Sequence, residues 1–162
     1  MRRLARLLKI NPKTVARKLS FLGSEARLSQ KQRLLQLAKT PLEEIQFDDL
    51  ETMLHTKCKP LSVTLAVHKK TREILDFQVN QMPAKGHLAE ISRRRYGRRK
   101  DLRPKGWEAL FQNLKKISAP QLLIESDENP HYPKYVKRHL PKAKHIAHPG
   151  ARGAVVGQGE LK

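Results

Sequence analysis

The apolar residues at the start of the chain repeat with the period of a helix. The positions that share a helix face are Leu4, Leu7 and Leu8, and then Val15, Leu19 and Leu22. Asn11 and Pro12 lie between the two sets, where Asn11 can cap the second helix and Pro12 suits its first position. Gly23 is well placed to end that helix. The pattern therefore predicts two short helices joined by a tight turn.

A third apolar stretch, over residues 28–38, is expected to complete a small domain, because two helices alone bury too little surface to be stable. Thr40 and Pro41 then break the helical pattern. We interpret residues 1–40 as a helix-turn-helix DNA-binding segment. Its exposed donors for phosphates and base edges are expected to be Lys13, Thr14, Arg17 and Lys18.

Two other interpretations of this segment stay open. A basic helical hairpin could simply pack on the next domain, and an Arg-rich amphipathic start is also typical of mitochondrial leaders. The absence of acids before Glu25 favours a helix in the major groove over mere packing. The capping chemistry at Asn11 and Pro12 is hard to explain in a leader.

From Ile45 onward the apolar pattern changes to the period of strands. Strands are predicted at residues 45–48, 61–67, 74–79, 121–126 and 144–147, with a hairpin turn at 69–72. Helices are predicted at residues 87–96, 105–117 and 130–139. The order β-β-β-α-β-α-β predicts an α/β domain over residues 41–149, with a mixed sheet covered by helices. Residues 150–162 form a Gly-rich tail in which no regular element is expected.

The charge of the chain points to a polyanionic partner. Lys and Arg number 34 against 15 Asp and Glu, a formal net charge of +19. No window approaches the roughly 18 apolar residues of a membrane span, so nucleic acid is the expected partner rather than a membrane. The single cysteine, Cys58, excludes an intrachain disulfide and favours a reducing compartment such as the cytoplasm.

Two features of the second domain suggest what it does with nucleic acid. Asp48 lies in the first strand and Asp127 follows the fourth, so the two carboxylates can converge if those strands are neighbours. Such a pair can hold Mg²⁺ together with a substrate phosphate. A dense cationic cluster is expected to follow a DNA backbone beside this site, through Arg93, Arg94, Arg98 and Arg99. The aromatic ring of Trp107 is expected in the core.

Several short motifs, taken in order, resemble bacterial insertion-sequence transposases of the DDE class. They are Lys13-Thr14-Val15, Phe47-Asp48-Asp49-Leu50-Glu51-Thr52, Lys59-Pro60-Leu61, Met82-Pro83-Ala84-Lys85-Gly86, Tyr96-Gly97-Arg98-Arg99, and Ser126-Asp127 with Tyr132 downstream. The resemblance implies a ribonuclease-H-like fold that cuts and joins double-stranded DNA at the terminal inverted repeats of its element, using Mg²⁺ or Mn²⁺. It implies that Asp48 and Asp127 are catalytic metal ligands, and that the protein is associated with the bacterial nucleoid, where it can form homo-oligomers on DNA.

The resemblance also implies a third acid, a glutamate on a helix after the fifth strand. Glu160 is the only acid after Glu128 and sits among glycines, so we do not expect it to substitute. The core is therefore expected to lack its final helix and to be inactive alone. A non-catalytic DNA-binding protein that inhibits transposition is the alternative, and a basic RNA-binding protein is a further one.

Overall fold

A computed structural model describes residues 2–149 of the chain. The chain forms two compact units, Met1–Thr40 and Pro41–Lys162. The first unit holds two helices, α1 (Arg2–Leu7) and α2 (Pro12–Leu37), which contact each other. The side chain of Asn11 accepts a hydrogen bond of 2.8 Å from the backbone N–H of Lys13. The predicted cap at Asn11 and the first-turn position of Pro12 are both confirmed.

The prediction that Gly23 ends this helix is wrong. Helix α2 runs through Gly23 without a break, so residues 28–38 form no separate third helix and the small three-helix domain is not present. A single glycine weakens a helix by only about 1 kcal/mol, and the good helix formers that follow it compensate. Of the three apolar positions predicted to pack on this helix, Val15 is buried, whereas Leu19 and Leu22 are exposed.

The second unit is built on a five-stranded mixed sheet, as expected for an α/β domain. Its strands are β1 (Leu42–Met53), β2 (Pro60–His68), β3 (Ile74–Gln81), β4 (Ser118–Asp127) and β5 (Lys144–His148). Their spatial order is β3-β2-β1-β4-β5, with the first three antiparallel and β4 and β5 parallel to β1. All five predicted strands are present, although β1 is much longer than the predicted 45–48.

Three helices belong to this unit: α3 (Leu88–Tyr96), α4 (Arg103–Leu114) and α5 (Tyr132–His139). All three predicted helices are present. The chain order is β-β-β-α-α-β-α-β, because α3 and α4, which the predicted order counted as one helical crossover, both lie between β3 and β4. Gly97, in the left-handed region with φ of 72°, follows α3 and separates the two helices. None of the helices within residues 2–149 is both long and apolar enough to cross a bilayer.

The hydrophobic core lies on one face of the sheet. Phe47 of β1 packs edge-on against Phe111 of α4 at 5.1 Å between ring centroids, and against Tyr132 of α5 at 4.6 Å. Trp107 is buried in this layer, as predicted. The opposite face exposes Leu50 and other apolar strand residues. The sheet therefore has one helix-covered face and, over the described residues, one face with apolar positions in contact with solvent.

Candidate active-site cleft and nucleic-acid interface

Consecutive acids in β1 point to opposite faces of the sheet, because side chains alternate along a strand. Phe47 and Asp49 face the helices, whereas Asp48 faces the exposed side. Alternation along the strand is sufficient to place Asp48 and Asp49 on opposite faces. Each carboxylate therefore has a different environment and a different role.

Asp49 is held by two donors on the helix-covered face. The indole N–H of Trp107 donates to its Oδ2 at 2.9 Å, and the buried hydroxyl of Thr64 donates to its Oδ1. These bonds connect β1 to α4 and to β2. A charged acceptor satisfies the buried indole N–H, so Asp49 has a structural role.

Asp48 and Asp127 line the same open cleft, of about 730 Å³, on the other face. The strands that carry them are parallel neighbours, with Gln46 paired to Glu125 two residues before each aspartate. The backbone N–H of Asp49 donates to Asp48 Oδ1 at 2.6 Å, and that of Asn129 donates to Asp127 Oδ1 at 3.2 Å. Both hydrogen bonds engage Oδ1, so Oδ2 of each carboxylate takes part in neither of them.

The two carboxylates also interact electrostatically. Partial removal from solvent raises the pKa of Asp48, and the negative charge of Asp127 raises it further, against the lowering effect of the Asp49 N–H. On the helix-covered face, burial raises the pKa of Tyr132, and the charges of Asp49 and Asp127 add to this effect. On the cleft face, the carboxylates of Asp48 and Asp127 place negative charges near each other, which a cation would neutralise.

A third acid, Glu125, lies on the same face of the sheet as the two aspartates, and sequence reasoning missed it. Its carboxylate is nearly buried and accepts hydrogen bonds from Lys69 Nζ and Gln46 Nε2, each at 2.6 Å. The hydrogen bond from Lys69, followed by that from Gln46, lowers the pKa of Glu125. Arg72 in turn donates to Gln46 Oε1. The signal in the sequence is a charged residue inside an apolar strand, but its partners depend on the strand register.

The described residues contain no group of three or more His, Cys, Asp or Glu side chains arranged to hold a metal ion. Glu125 is engaged by Lys69 and Gln46 and does not join the aspartate pair. Glu160 and the Gly-rich segment 150–162 lie outside the described residues. The donor set at the cleft is therefore two carboxylates, which suits part of the coordination shell of a hard divalent cation.

The four residues predicted to contact DNA from the first unit lie in the first two turns of α2. Lys13, Thr14, Arg17 and Lys18 are all exposed. The first 40 residues hold eleven of the 34 Lys and Arg but only one of the 15 acids, Glu25. This end of the helix consequently presents positive charge with little local neutralisation.

The predicted arginine cluster divides into two kinds of residue. Arg93, Arg94 and Arg98 are exposed at the end of α3 and in the loop after it. Arg99 is half-buried, and its guanidinium donates to the backbone carbonyls of Met82 at 3.4 Å and Pro60 at 3.3 Å. Three of the four arginines border a groove of about 770 Å³, namely Arg93, Arg98 and Arg99. Arg99 thus positions the loop, which leaves the exposed arginines available for a polyanion.

Comparison with known proteins adds no family name. No protein-family model matches the chain, and no curated protein sequence matches it. The likeness to DDE transposases accordingly stays a prediction based on the ordered motifs.

Proposed function

We propose that this chain acts in DNA transposition as a DDE-class transposase, with a ribonuclease-H-like core that cuts and joins DNA by metal-dependent phosphodiester transfer. The observation that carries the proposal is the pair Asp48 and Asp127, which extend from neighbouring parallel strands into one cleft. Its substrate would be double-stranded DNA in the bacterial cytoplasm, at the inverted repeats that end the element. This choice of substrate follows from the resemblance to the DDE class, and the net charge of +19 agrees with it.

The topology of the sheet supports the ribonuclease-H-like part of the proposal. Three antiparallel strands form a meander, and two further strands are added parallel to β1 through helical crossovers. The sequence pattern predicted a mixed sheet of this kind, and the resemblance to DDE transposases implies that it is a ribonuclease-H-like core. It puts the carboxyl end of β4 beside the middle of β1, where Asp48 lies.

The two aspartates are suitable ligands for Mg²⁺ or Mn²⁺. Mg²⁺ in proteins is commonly bound by one or two carboxylates together with waters and substrate phosphate oxygens. Partial burial raises the pKa of Asp48 and the negative charge of Asp127 adds to this effect, so a divalent cation would relieve the repulsion between the two carboxylates. When bound, the ion would activate an attacking hydroxyl and neutralise charge on the phosphate.

The protein's own groups contribute position and charge. Asp49 holds β1 against α4, which fixes the direction in which Asp48 points. The turn after β4, closed by the Asn129 N–H on Asp127, holds the second carboxylate. Positioning and electrostatics supply almost all of the catalysis of phosphoryl transfer, so displacement of either aspartate should remove activity.

One observation favours a second candidate, a DNA-binding protein that occupies element ends without cutting them. Two carboxylates without a third ligand among the described residues should hold metal weakly. A protein of this second kind would bind DNA firmly and cut it poorly. A protein of this kind would compete with active transposase for the same ends.

Cleavage separates the two candidates. The purified chain is incubated with Mg²⁺ or Mn²⁺ and a duplex bearing an element end, beside Asp48→Asn, Asp127→Asn and the matched control Glu128→Gln, an exposed neighbouring acid. Nicking that needs metal, is lost in both aspartate variants and persists in the control supports catalysis. Binding without nicking supports the second candidate.

Binding itself is tested by its dependence on salt. Contact with about 6 to 10 phosphates should lower the affinity roughly 10³ to 10⁵-fold between about 50 and 200 mM salt. A flat response would contradict DNA binding. Tighter binding of structured RNA than of duplex DNA at matched salt would instead favour an RNA-binding protein.

A further inference from the structure

The turn that joins β2 and β3 carries three cations with different partners. Lys69 Nζ lies 2.6 Å from Glu125 Oε1, and Lys70 Nζ lies 3.8 Å from Glu44 Oε1. Arg72 instead donates to Gln46 Oε1, a neutral acceptor. Within residues 2–149, no carboxylate lies within salt-bridge distance of the Arg72 guanidinium.

Arg72 also lines the cleft that holds Asp48 and Asp127. Its backbone has a φ of 60°, in the left-handed region that favours glycine. An arginine here is therefore not explained by the conformation of the turn. At this position the chain places a guanidinium at the edge of the cleft.

A chain of hydrogen bonds holds the guanidinium in place. Gln46 accepts from Arg72 and donates to Glu125, which in turn accepts from Lys69. Gln46 Oε1 is a single acceptor, whereas a guanidinium has five N–H donors in a planar fork. Most of the donors of Arg72, which is exposed, are therefore free to bind a second, anionic acceptor.

We propose that Arg72 binds a backbone phosphate of the nucleic-acid strand that lies in this cleft, beside the phosphodiester presented to Asp48 and Asp127. The assignment rests on the proposed function, because it takes the same cleft as the site of phosphodiester transfer. A planar guanidinium matches two oxygens of a phosphate, and it offsets the repulsion between a polyanion and the acids that line the cleft. Lys69 is less suited to this role, since its positive charge is already compensated by Glu125 at 2.6 Å.

The test compares Arg72→Gln with Lys70→Gln, which removes the same charge from the same turn outside the cleft. Binding of a fluorescently labelled DNA duplex is measured by anisotropy over a series of salt concentrations in Mg²⁺. Loss of one phosphate contact should make the slope of log affinity against log salt shallower by about 0.9 in Arg72→Gln. The slope for Lys70→Gln should equal that of the native chain.

Thermal unfolding of both variants separates a binding role from a structural one. Arg72→Gln should retain native stability while it loses affinity, and Arg72→Lys, which keeps the charge, should restore most of the slope. Equal slopes for the native chain and both glutamine variants would overturn the assignment and leave the proposed function standing. A native chain with no salt dependence would overturn both.

Discussion

The indole N–H of Trp107 donates to Oδ2 of Asp49 at 2.9 Å, on the face of β1 opposite to Asp48. Successive residues of a strand point to opposite faces, so the bond that fixes Asp49 also fixes the direction of Asp48. The two adjacent acids consequently have different roles. Asp49 fixes β1 against α4, and the carboxylate of Asp48 lines the cleft.

This division predicts that the same substitution has a much larger effect on stability at Asp49 than at Asp48. Asp49→Ala leaves the buried Trp107 N–H without its acceptor and should destabilise the fold by about 2 kcal/mol. Asp48→Ala removes a carboxylate exposed to the cleft and should change stability by no more than about 0.5 kcal/mol. Urea unfolding of both variants measures the difference. Asp49→Asn keeps one oxygen acceptor and should lie between them, and equal losses at both positions would contradict the assignment.

The raised pKa of Asp48 predicts a dependence of stability on pH. At neutral pH the native state bears the cost of an ionised, partly desolvated carboxylate beside Asp127, a cost that the unfolded chain lacks. That cost disappears as the pH falls through the raised native pKa, and it is absent below the ordinary value of 3.8. Asp48→Asn should therefore be slightly more stable than the native chain at pH 7.

The advantage of Asp48→Asn should shrink as the pH is lowered, and saturating Mg²⁺ should stabilise the native chain but not the variant. Thermal unfolding from neutral to acidic pH, with and without the metal, measures both effects. An advantage that grew toward acidic pH would contradict the prediction, because it would require a lowered native pKa.

Glu125 should show the opposite dependence. The hydrogen bond from Lys69, and then that from Gln46, lowers its native pKa, so its stabilising effect is fully present above the ordinary value of 4.5. It is lost as the pH falls through the lowered native pKa. Glu125→Gln should therefore be less stable than the native chain at pH 7, by an amount that diminishes in acid. Glu128→Gln, at an exposed neighbour, is the control and should show no such trend.

Much of the fold follows from the sequence because alternating strands and capped helices carry local signals. The five strands, the cap at Asn11 and the burial of Trp107 were all predictable from periodicity and side-chain chemistry. The length of α2 was not predictable in this way. A glycine ends a helix only when its backbone adopts the left-handed conformation, and Gly23 does not adopt it.

The site was predictable only where adjacent residues or strand ends determine it. Alternation along β1 was enough to separate Asp48 from Asp49. The chain of bonds from Arg72 through Gln46 to Glu125 joins residues up to 79 positions apart, and it depends on the register between parallel strands. No local pattern encodes that register, so Arg72 could be predicted only as part of a turn.

The continuous helix gives a direct test at Gly23. A Cβ added there meets no atom within 4 Å, and the backbone is helical, so Gly23→Ala should stabilise the first unit by roughly 0.5 to 1 kcal/mol. Gly23→Pro should break the helix and lower the helical signal. Circular dichroism and thermal unfolding measure both changes. If Gly23 ended the helix in the left-handed conformation, alanine would destabilise it instead.

The exposed start of α2 should carry sequence preference in DNA binding. Arg17→Ala should lower the affinity for an element end more than the affinity for unrelated duplex, because side chains at a recognition-helix start contact base edges as well as phosphates. Arg27→Ala removes the same charge about 15 Å further along the helix and serves as the matched control. We expect Arg27→Ala to lower the affinity for both duplexes slightly and by the same factor.

Competition binding at one salt concentration gives the ratio of the two affinities for each variant. Loss of one base contact at Arg17 should reduce that ratio by a factor that corresponds to about 1 to 3 kcal/mol. If Arg17→Ala and Arg27→Ala lower the affinity for both duplexes by the same factor, α2 contributes only charge. Sequence preference would then have to arise in the second unit, where Arg94 and Arg98 are the exposed cations to substitute next.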